Sequence, residues 1–247
     1  MNSQSTVIAV IPARGGSKGI KNKNLQKVGG LTLVDWSIRA AVNSELVSSV
    51  ILTSDSEEIL SSATMFVKKL PLGDITKVHF HKRPDILASD NSEIIETLRE
   101  IVRSFSLSRS NCDAILMLQP TSPFRRAREV DHFLEFSLDN GNYMPSVSVK
   151  EVTDSHPARM YFIDENRRLA HSLFFKNEEF SPRQSLTKLY LRDGAYYLMT
   201  LEMIENGTPV VDKSKAFLRT YPFNLNIDEN SDLELSRIEF QKVKNEL

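Results

Sequence analysis

The chain has 247 residues, enough for one sizeable α/β core carrying a small inserted unit and too few for a second large domain. Its 31 basic residues against 32 acidic ones leave a net charge of -1, so no global field draws it to nucleic acid or to an anionic membrane, and phosphate recognition must come from locally placed groups. A single Cys112, a short polar start from Met1 to Thr6 and no apolar run near the roughly 18 residues of a membrane helix point to a protein of the reducing cytoplasm, with no disulfide, signal peptide or membrane span.

Along the first half, short β-branched runs alternate with segments of helical period, the pattern of a mostly parallel sheet wrapped by helices. Val7 to Ile11 reads as a buried strand, and Leu33, Trp36, Ala40 and Ala41 as the inner face of the first helix. Val50 to Thr53 is the second strand; Ser54 and Glu57 have capping-box spacing before a helix with Ile59, Leu60, Ala63 and Val67 inside. Val78 to His81 is a third strand. Asp90 is the expected N-cap of a helix whose apolar face holds Ile94, Ile95, Leu98, Ile101, Val102 and Phe105. Ala114 to Leu118 reads as a strand buried on both faces, and Val130, Phe133, Leu134 and Leu138 as a fourth helical stripe.

Beyond about residue 145 the rhythm changes to strands and loops. Ser146 to Lys150, Tyr161 to Ile163 and Leu169 to Leu173 predict an inserted antiparallel excursion, with a polar turn at Asp164, Glu165 and Asn166. Leu191 to Met199 and Tyr221 to Asn226 predict returning strands, and a charged helix follows from about Ser231.

The densest chemical signal is the loop after the first strand, Pro12-Ala13-Arg14-Gly15-Gly16-Ser17-Lys18-Gly19, running on through Lys21 and Lys23 to Asn24. Strand ends facing a sheet crevice are where open α/β sheets bind ligands. Glycines let backbone amides approach phosphate oxygens, and Arg14, Lys18 and Lys23 add charge that could stabilise a leaving pyrophosphate. The spacing matches neither a dinucleotide fingerprint nor a P-loop. On the residues alone, a phosphate cradle of another class and a solvated basic loop both remain open.

Taken with four later segments, the loop resembles the acylneuraminate cytidylyltransferases, the CMP-sialic acid synthetases. Those segments are Arg83-Pro84 with Ala88-Ser89-Asp90, Leu118-Gln119-Pro120-Thr121-Ser122-Pro123, Pro182-Arg183-Gln184 leading to Arg192-Asp193-Gly194-Ala195, and Asn226-Ile227-Asp228. The resemblance spans essentially the whole chain. It implies a three-layer α/β/α, Rossmann-like nucleotidyltransferase fold in a single domain over 1–247, with residues of about 145–185 as an inserted dimerisation excursion. It also implies a homodimer that takes CTP and a nonulosonic acid of the sialic or legionaminic type.

By the same resemblance, Ala13, Arg14, Gly15, Ser17, Asn24, Arg83, Ser89 and Asp90 would bind the nucleotide, and Arg14, Lys18, Lys23 and Asp228 would serve catalysis. Gln119, Arg159, Arg183 and Arg192 would meet the acidic sugar, with the arginines suited to its carboxylate. Asp228 and Asn226 would hold Mg²⁺ or Mn²⁺. Read as strand neighbours, residues 226 and 228 share a face, but the family usually shows Asp at both positions, so Asn226 removes one unit of charge. A cytidylyltransferase for an eight-carbon acid of the Kdo kind, and a nucleotide-binding relative without turnover, are the alternative readings. Arg125 and Arg126 are expected to open a helix, and His156 to be a turn residue.

Overall fold

The computed structural model describes residues 6–89, 92–153, 155–171, 176–178 and 180–247. Its main elements, in chain order, begin with β1 (Val7–Pro12), α1 (Leu33–Val42), β2 (Val47–Ser54), α2 (Glu57–Val67), β3 (Val78–Lys82) and α3 (Ile94–Ser104). They continue with β4 (Ala114–Met117), α4 (Ala127–Ser137), β5 (Ser146–Glu151), β6 (Tyr161–Ile163) and β7 (Leu169–His171). The last are β8 (Tyr190–Met199), α5 (Leu201–Asn206), β9 (Lys215–Leu218) and α6 (Asn230–Val243).

Seven of these strands form one sheet in the order β9-β5-β8-β4-β1-β2-β3. β4, β1, β2 and β3 run parallel to one another, while β8 is antiparallel to both β4 and β5. Strand alternation sends successive residues of β1 to opposite faces. Val7, Ala9 and Ile11 pack with Ile38 of α1, Ala63 of α2 and Phe133 of α4. Ile8 and Val10 pack with Leu98 of α3 and Ile204 of α5 on the other side. Two apolar layers with helices outside them make the expected α/β/α sandwich, and burial of a side chain such as Phe133 contributes about 1.5–3 kcal/mol to it. Among the described residues, no helix is long and apolar enough to cross a membrane.

Several local expectations change. The cap of α2 is Ser56, whose Oγ accepts from Ile59 N at 3.4 Å, because Ser54 still belongs to β2 and its own Oγ is taken by Ser56 N. The N-cap of α3 is Glu93, without a side-chain cap; Asp90 lies outside the described residues. Ser146–Glu151 is a strand of the central sheet, so the excursion is confined to the chain between β5 and β8, where, among the described residues, β6 and β7 pair only with each other. Tyr221 to Asn226 is not a strand. Backbone bonds from Asn224 N to Thr220 O and Leu225 N to Pro222 O fold it into turns, and the last sheet strand lies earlier, at β9.

A third apolar cluster decides where the site forms. Ile20, from the loop after β1, is buried with Ile227 and with Leu233 and Val243 of α6. The beginning of the chain and its C-terminal helix are thereby packed together over the carboxyl ends of the parallel strands.

Candidate active site

The loop leaving β1 stays pinned to the sheet for its first residues. Ala13 N donates to Thr53 O at 2.9 Å, and Gly15 N donates to the Asp55 carboxylate at 3.0 Å. Asn24, itself buried, turns its amide back to the Arg14 carbonyl at 2.8 Å and so fixes the loop's return. At Gly19 the loop presses against the far end of the chain: a Cβ there would sit 2.6 Å from the Asp228 carbonyl oxygen. Ile227 points into the third cluster, which leaves its neighbours Asn226 and Asp228 facing the cleft.

Lys23 Nζ reaches both the Ile227 carbonyl and Asp228 Oδ1 at 3.0 Å, and Asn226 Nδ2 donates to Asp228 Oδ2 at 2.5 Å. Asn226 and Asp228 are adjacent because they flank one buried residue just ahead of α6. The strand alternation expected from sequence is not the reason. Glu229 caps that helix, and Asp232 accepts from both Asp228 N and Glu229 N, which fixes the Asp228 backbone.

These groups line a cleft of about 610 Å³ that also contains Arg14, Ser17 and Lys18 on one wall, Arg83 and Ser89 on a second, and Gln119 on a third. Arg83 follows β3 and is only 4% exposed. Its Nη2 donates to Thr53 O at 3.1 Å, while Nε meets no acceptor among the described residues. Burial pulls the pKa of this guanidinium down, with the Asp55 charge opposing that and Arg14 adding to it. A buried cation on a cleft wall, with one backbone carbonyl as its recorded acceptor, favours an anion placed beside it. Near it, Ser89 Oγ pairs with Ser92 Oγ at 2.6 Å, and Ser92 Oγ donates to Ile86 O. Leu87, Ile94 and Thr97, none of them expected at the site from the sequence, complete this lobe. It offers an apolar slot edged with hydroxyls, suited to a flat polar ring.

Gln119 stands where β4 ends, and its wall is closed by the backbone of β8. Gly194 has φ +81, and a Cβ there would lie 3.0 Å from Gln119 Oε1 and 3.5 Å from Asn226 Oδ1. Arg159, Arg183 and Arg192 are exposed and do not line this cleft. Arg159 Nη2 instead donates to the Ser181 carbonyl within the excursion. Ala13 and Gly15 shape the loop from beneath and do not face the cavity. Arg126 caps α4, as expected, but Arg125 is turned inward and wholly buried. His156 is a turn residue, its Nδ1 accepting from Ala158 N.

Among the described residues no group of three or more acidic, His or Cys side chains could hold a metal unaided. Asp228 and Asn226 offer a carboxylate and an amide oxygen at the cleft. That donor set fits Mg²⁺, which takes one or two carboxylates and completes its shell with water and substrate phosphates.

The family model described as cytidylyltransferase matches residues 8–238. The chain belongs to the cytidylyltransferase family. A CMP-N,N'-diacetyllegionaminic acid synthase of Legionella pneumophila is 29% identical over 92% of this chain and 90% of the relative. A pseudaminic acid cytidylyltransferase of Campylobacter jejuni is 28% identical over 97% of each chain. The solved CMP:2-keto-3-deoxy-manno-octonic acid synthetase complexed with CTP superposes with a TM-score of 0.64 at 16% identity, covering 98% of this chain and 100% of its own. That likeness shows that this cytidylyltransferase has the same fold.

Proposed function

We propose that this cytidylyltransferase moves the CMP unit of CTP onto a nonulosonic acid of the sialic or legionaminic kind. The observation that carries the reading is the convergence of the basic loop, Asp228, Arg83 and Gln119 on one cleft. The relatives whose names state a substrate add support, since they act on legionaminic, pseudaminic and N-acylneuraminic acids.

In this reaction the oxygen of the anomeric C2 hydroxyl attacks the α-phosphorus, the bond from that phosphorus to the pyrophosphate oxygen breaks, and the hydroxyl proton passes to solvent. Such chemistry asks the protein for positioning and charge neutralisation rather than a covalent nucleophile. Arg14, Lys18 and Lys23 would hold the phosphates and the departing charge, Arg83 would help clamp the nucleotide, Ser89 and Asp90 would sit beside its base and ribose, and Gln119 would orient the acid. Asp228 with Asn226 would hold Mg²⁺ or Mn²⁺, which when bound neutralises phosphate charge. Lys23, now paired to Asp228, would turn to the phosphates as they arrive.

The excursion would pair two copies in a homodimer. Phe162, Ile163 and Leu169 of its hairpin are largely exposed in the single chain, more apolar surface than two short strands can bury. Leu173, Phe174 and Phe175, which the sequence adds to this patch, lie outside the described residues. Arg159, Arg183 and Arg192 would then serve the partner's cleft.

The test is pyrophosphate release from each nucleoside triphosphate against nine-carbon and eight-carbon acids, with and without a chelator. Release with CTP and a nine-carbon acid is expected. Preference for the eight-carbon acids would assign the other substrate, and CTP binding without release under any divalent ion would make the chain a binding protein.

A further inference from the structure

Behind the cleft floor lie two arginines that touch neither the cavity nor solvent. Arg219, just past β9, donates from Nε to Glu129 Oε1 at 3.1 Å, from Nη1 to Asp193 Oδ2 at 3.0 Å and from Nη2 to Phe124 O at 2.9 Å. Arg125 donates to Ser37 Oγ at 3.0 Å and to the Gln119 carbonyl. Both guanidinium groups lie against the ring of Tyr196, 5.0 Å and 5.8 Å from its centre, and the Tyr196 hydroxyl donates to Glu129 Oε2 at 2.9 Å.

Two cations and two carboxylates balance in this buried group. Apolar side chains of similar volume would hold such a space at least as well. What sets the group apart is what it holds in place. Asp193 Oδ1 accepts from Ser148 Oγ and from Ala195 N, and the Asp193 carbonyl accepts from Ser122 Oγ. These bonds fix the irregular stretch of β8 between Arg192 and Tyr197, where pairing with β5 shifts register. Gly194 sits in that stretch, against the side chain of Gln119. Gln119 thus lies between two parts of one buried network: Arg125 bonds its carbonyl, and Gly194, next to the Asp193 that Arg219 holds, lies close beside its side-chain amide.

We infer that Arg219 and Arg125 are positioning residues for the acid-binding side of the cleft, setting the Gln119 amide through the β8 bulge. The inference rests on the proposed role of Gln119. Arg219→Lys keeps the charge but loses the fork that joins Glu129 to Asp193. Ser148→Ala cuts one tie to Asp193, together with the bond that Tyr196 N donates to the same hydroxyl at 2.8 Å, and leaves all four charges in place.

Steady-state pyrophosphate release is measured with the acid and CTP varied separately, and CTP affinity by calorimetry without the acid, on protein shown to be folded by circular dichroism. Arg219→Lys is expected to raise KM for the acid about tenfold or more, and Ser148→Ala about threefold, with CTP Kd within about twofold of wild type in both. An unchanged KM for the acid in folded variants, or an equal loss on acid and nucleotide, overturns the inference. Crystal structures of the variants give a readout free of turnover: Gln119 Oε1 should shift relative to Gly194, and an unmoved Gln119 refutes the positioning role. If the wild type uses no nonulosonic acid, the proposed substrate fails while this structural comparison still decides the inference. Should Arg219→Lys fail to fold, Ser148→Ala carries both measurements.

Discussion

Gly19→Ala tests the joint on which the site depends. The added Cβ would stand 2.6 Å from the Asp228 carbonyl oxygen, a backbone atom that cannot swing aside. The contact must open by about 0.4 Å to reach the tightest spacing real Cβ atoms show, and by about 0.8 Å to reach ordinary van der Waals contact. Overpacking of this kind costs about 1–3 kcal/mol. In a chain of this length that is a fall in Tm of about 2–12 °C, at about 2–4 °C for each kcal/mol. The same shift separates the basic loop from Asp228, and displacements near 1 Å cost about 100-fold in rate. Turnover at saturating CTP should therefore drop by about 10- to 100-fold. Gly16→Ala is the control for stability, since a Cβ there meets nothing within 4 Å, and its Tm should stay within about 2 °C of wild type. Thermal melts and pyrophosphate release on the three proteins decide the matter. A Gly19→Ala protein with wild-type melting and turnover would show that the loop and the C-terminal segment do not press together.

Asp228→Asn should lower turnover by about two orders of magnitude or more while the fold is kept, because the carboxylate lies at the cleft surface; near-normal rates would remove Asp228 from catalysis. Arg83→Met, which loses charged hydrogen bonds worth about 1.5–3 kcal/mol, should weaken CTP binding about 10- to 100-fold in calorimetry; unchanged affinity would make Arg83 purely structural. His81 is held below the usual imidazole pKa by burial, with the Glu100 charge opposing and Arg83 assisting, and its Nδ1 lies 3.0 Å from Thr53 Oγ1. The unfolded chain then binds the proton more readily, so stability falls as pH drops from about 6.5 towards the folded value. His81→Asn should flatten the dependence of Tm on pH between about 7.5 and 5, and an unaltered slope would refute the assignment. The Cys112 thiol, buried and beside Asp113, is pushed up to about 12. It should resist a thiol-specific reagent at about pH 8 in the native protein and react after unfolding in urea; fast native labelling would contradict its burial.

The parallel half of the sheet and its helices were legible in the sequence because strand and helix periods are written directly in their apolar residues. The basic wall of the cleft was legible for a related reason: Arg14, Lys18 and Lys23 crowd a glycine-rich loop placed right after a buried strand. Tyr221 to Asn226 misled because its aromatic and apolar residues suit a strand, whereas Pro222 and the following turn place them around α6. Ser54 misled at α2 because the strand outlasts its apolar run. The buried arginines carried no periodic signal. Asp193, however, precedes the apolar run Ala195, Tyr196, Tyr197, Leu198 and Met199, and a carboxylate entering a buried strand demands a cation; that demand, followed through, leads to Arg219. Arg159, Arg183 and Arg192 could not be placed by spacing, since the single chain does not bring them to the cleft.

Lys23 and Asp228 are 205 positions apart, yet they share one ion pair. A pocket closed in this way has no partial form: no fragment lacking either extremity contains it, and it exists only after the polypeptide has come full circle. A nucleotide lodged there would work like the pin of a buckle, slowing the opening of the native protein while doing nothing to hasten its assembly.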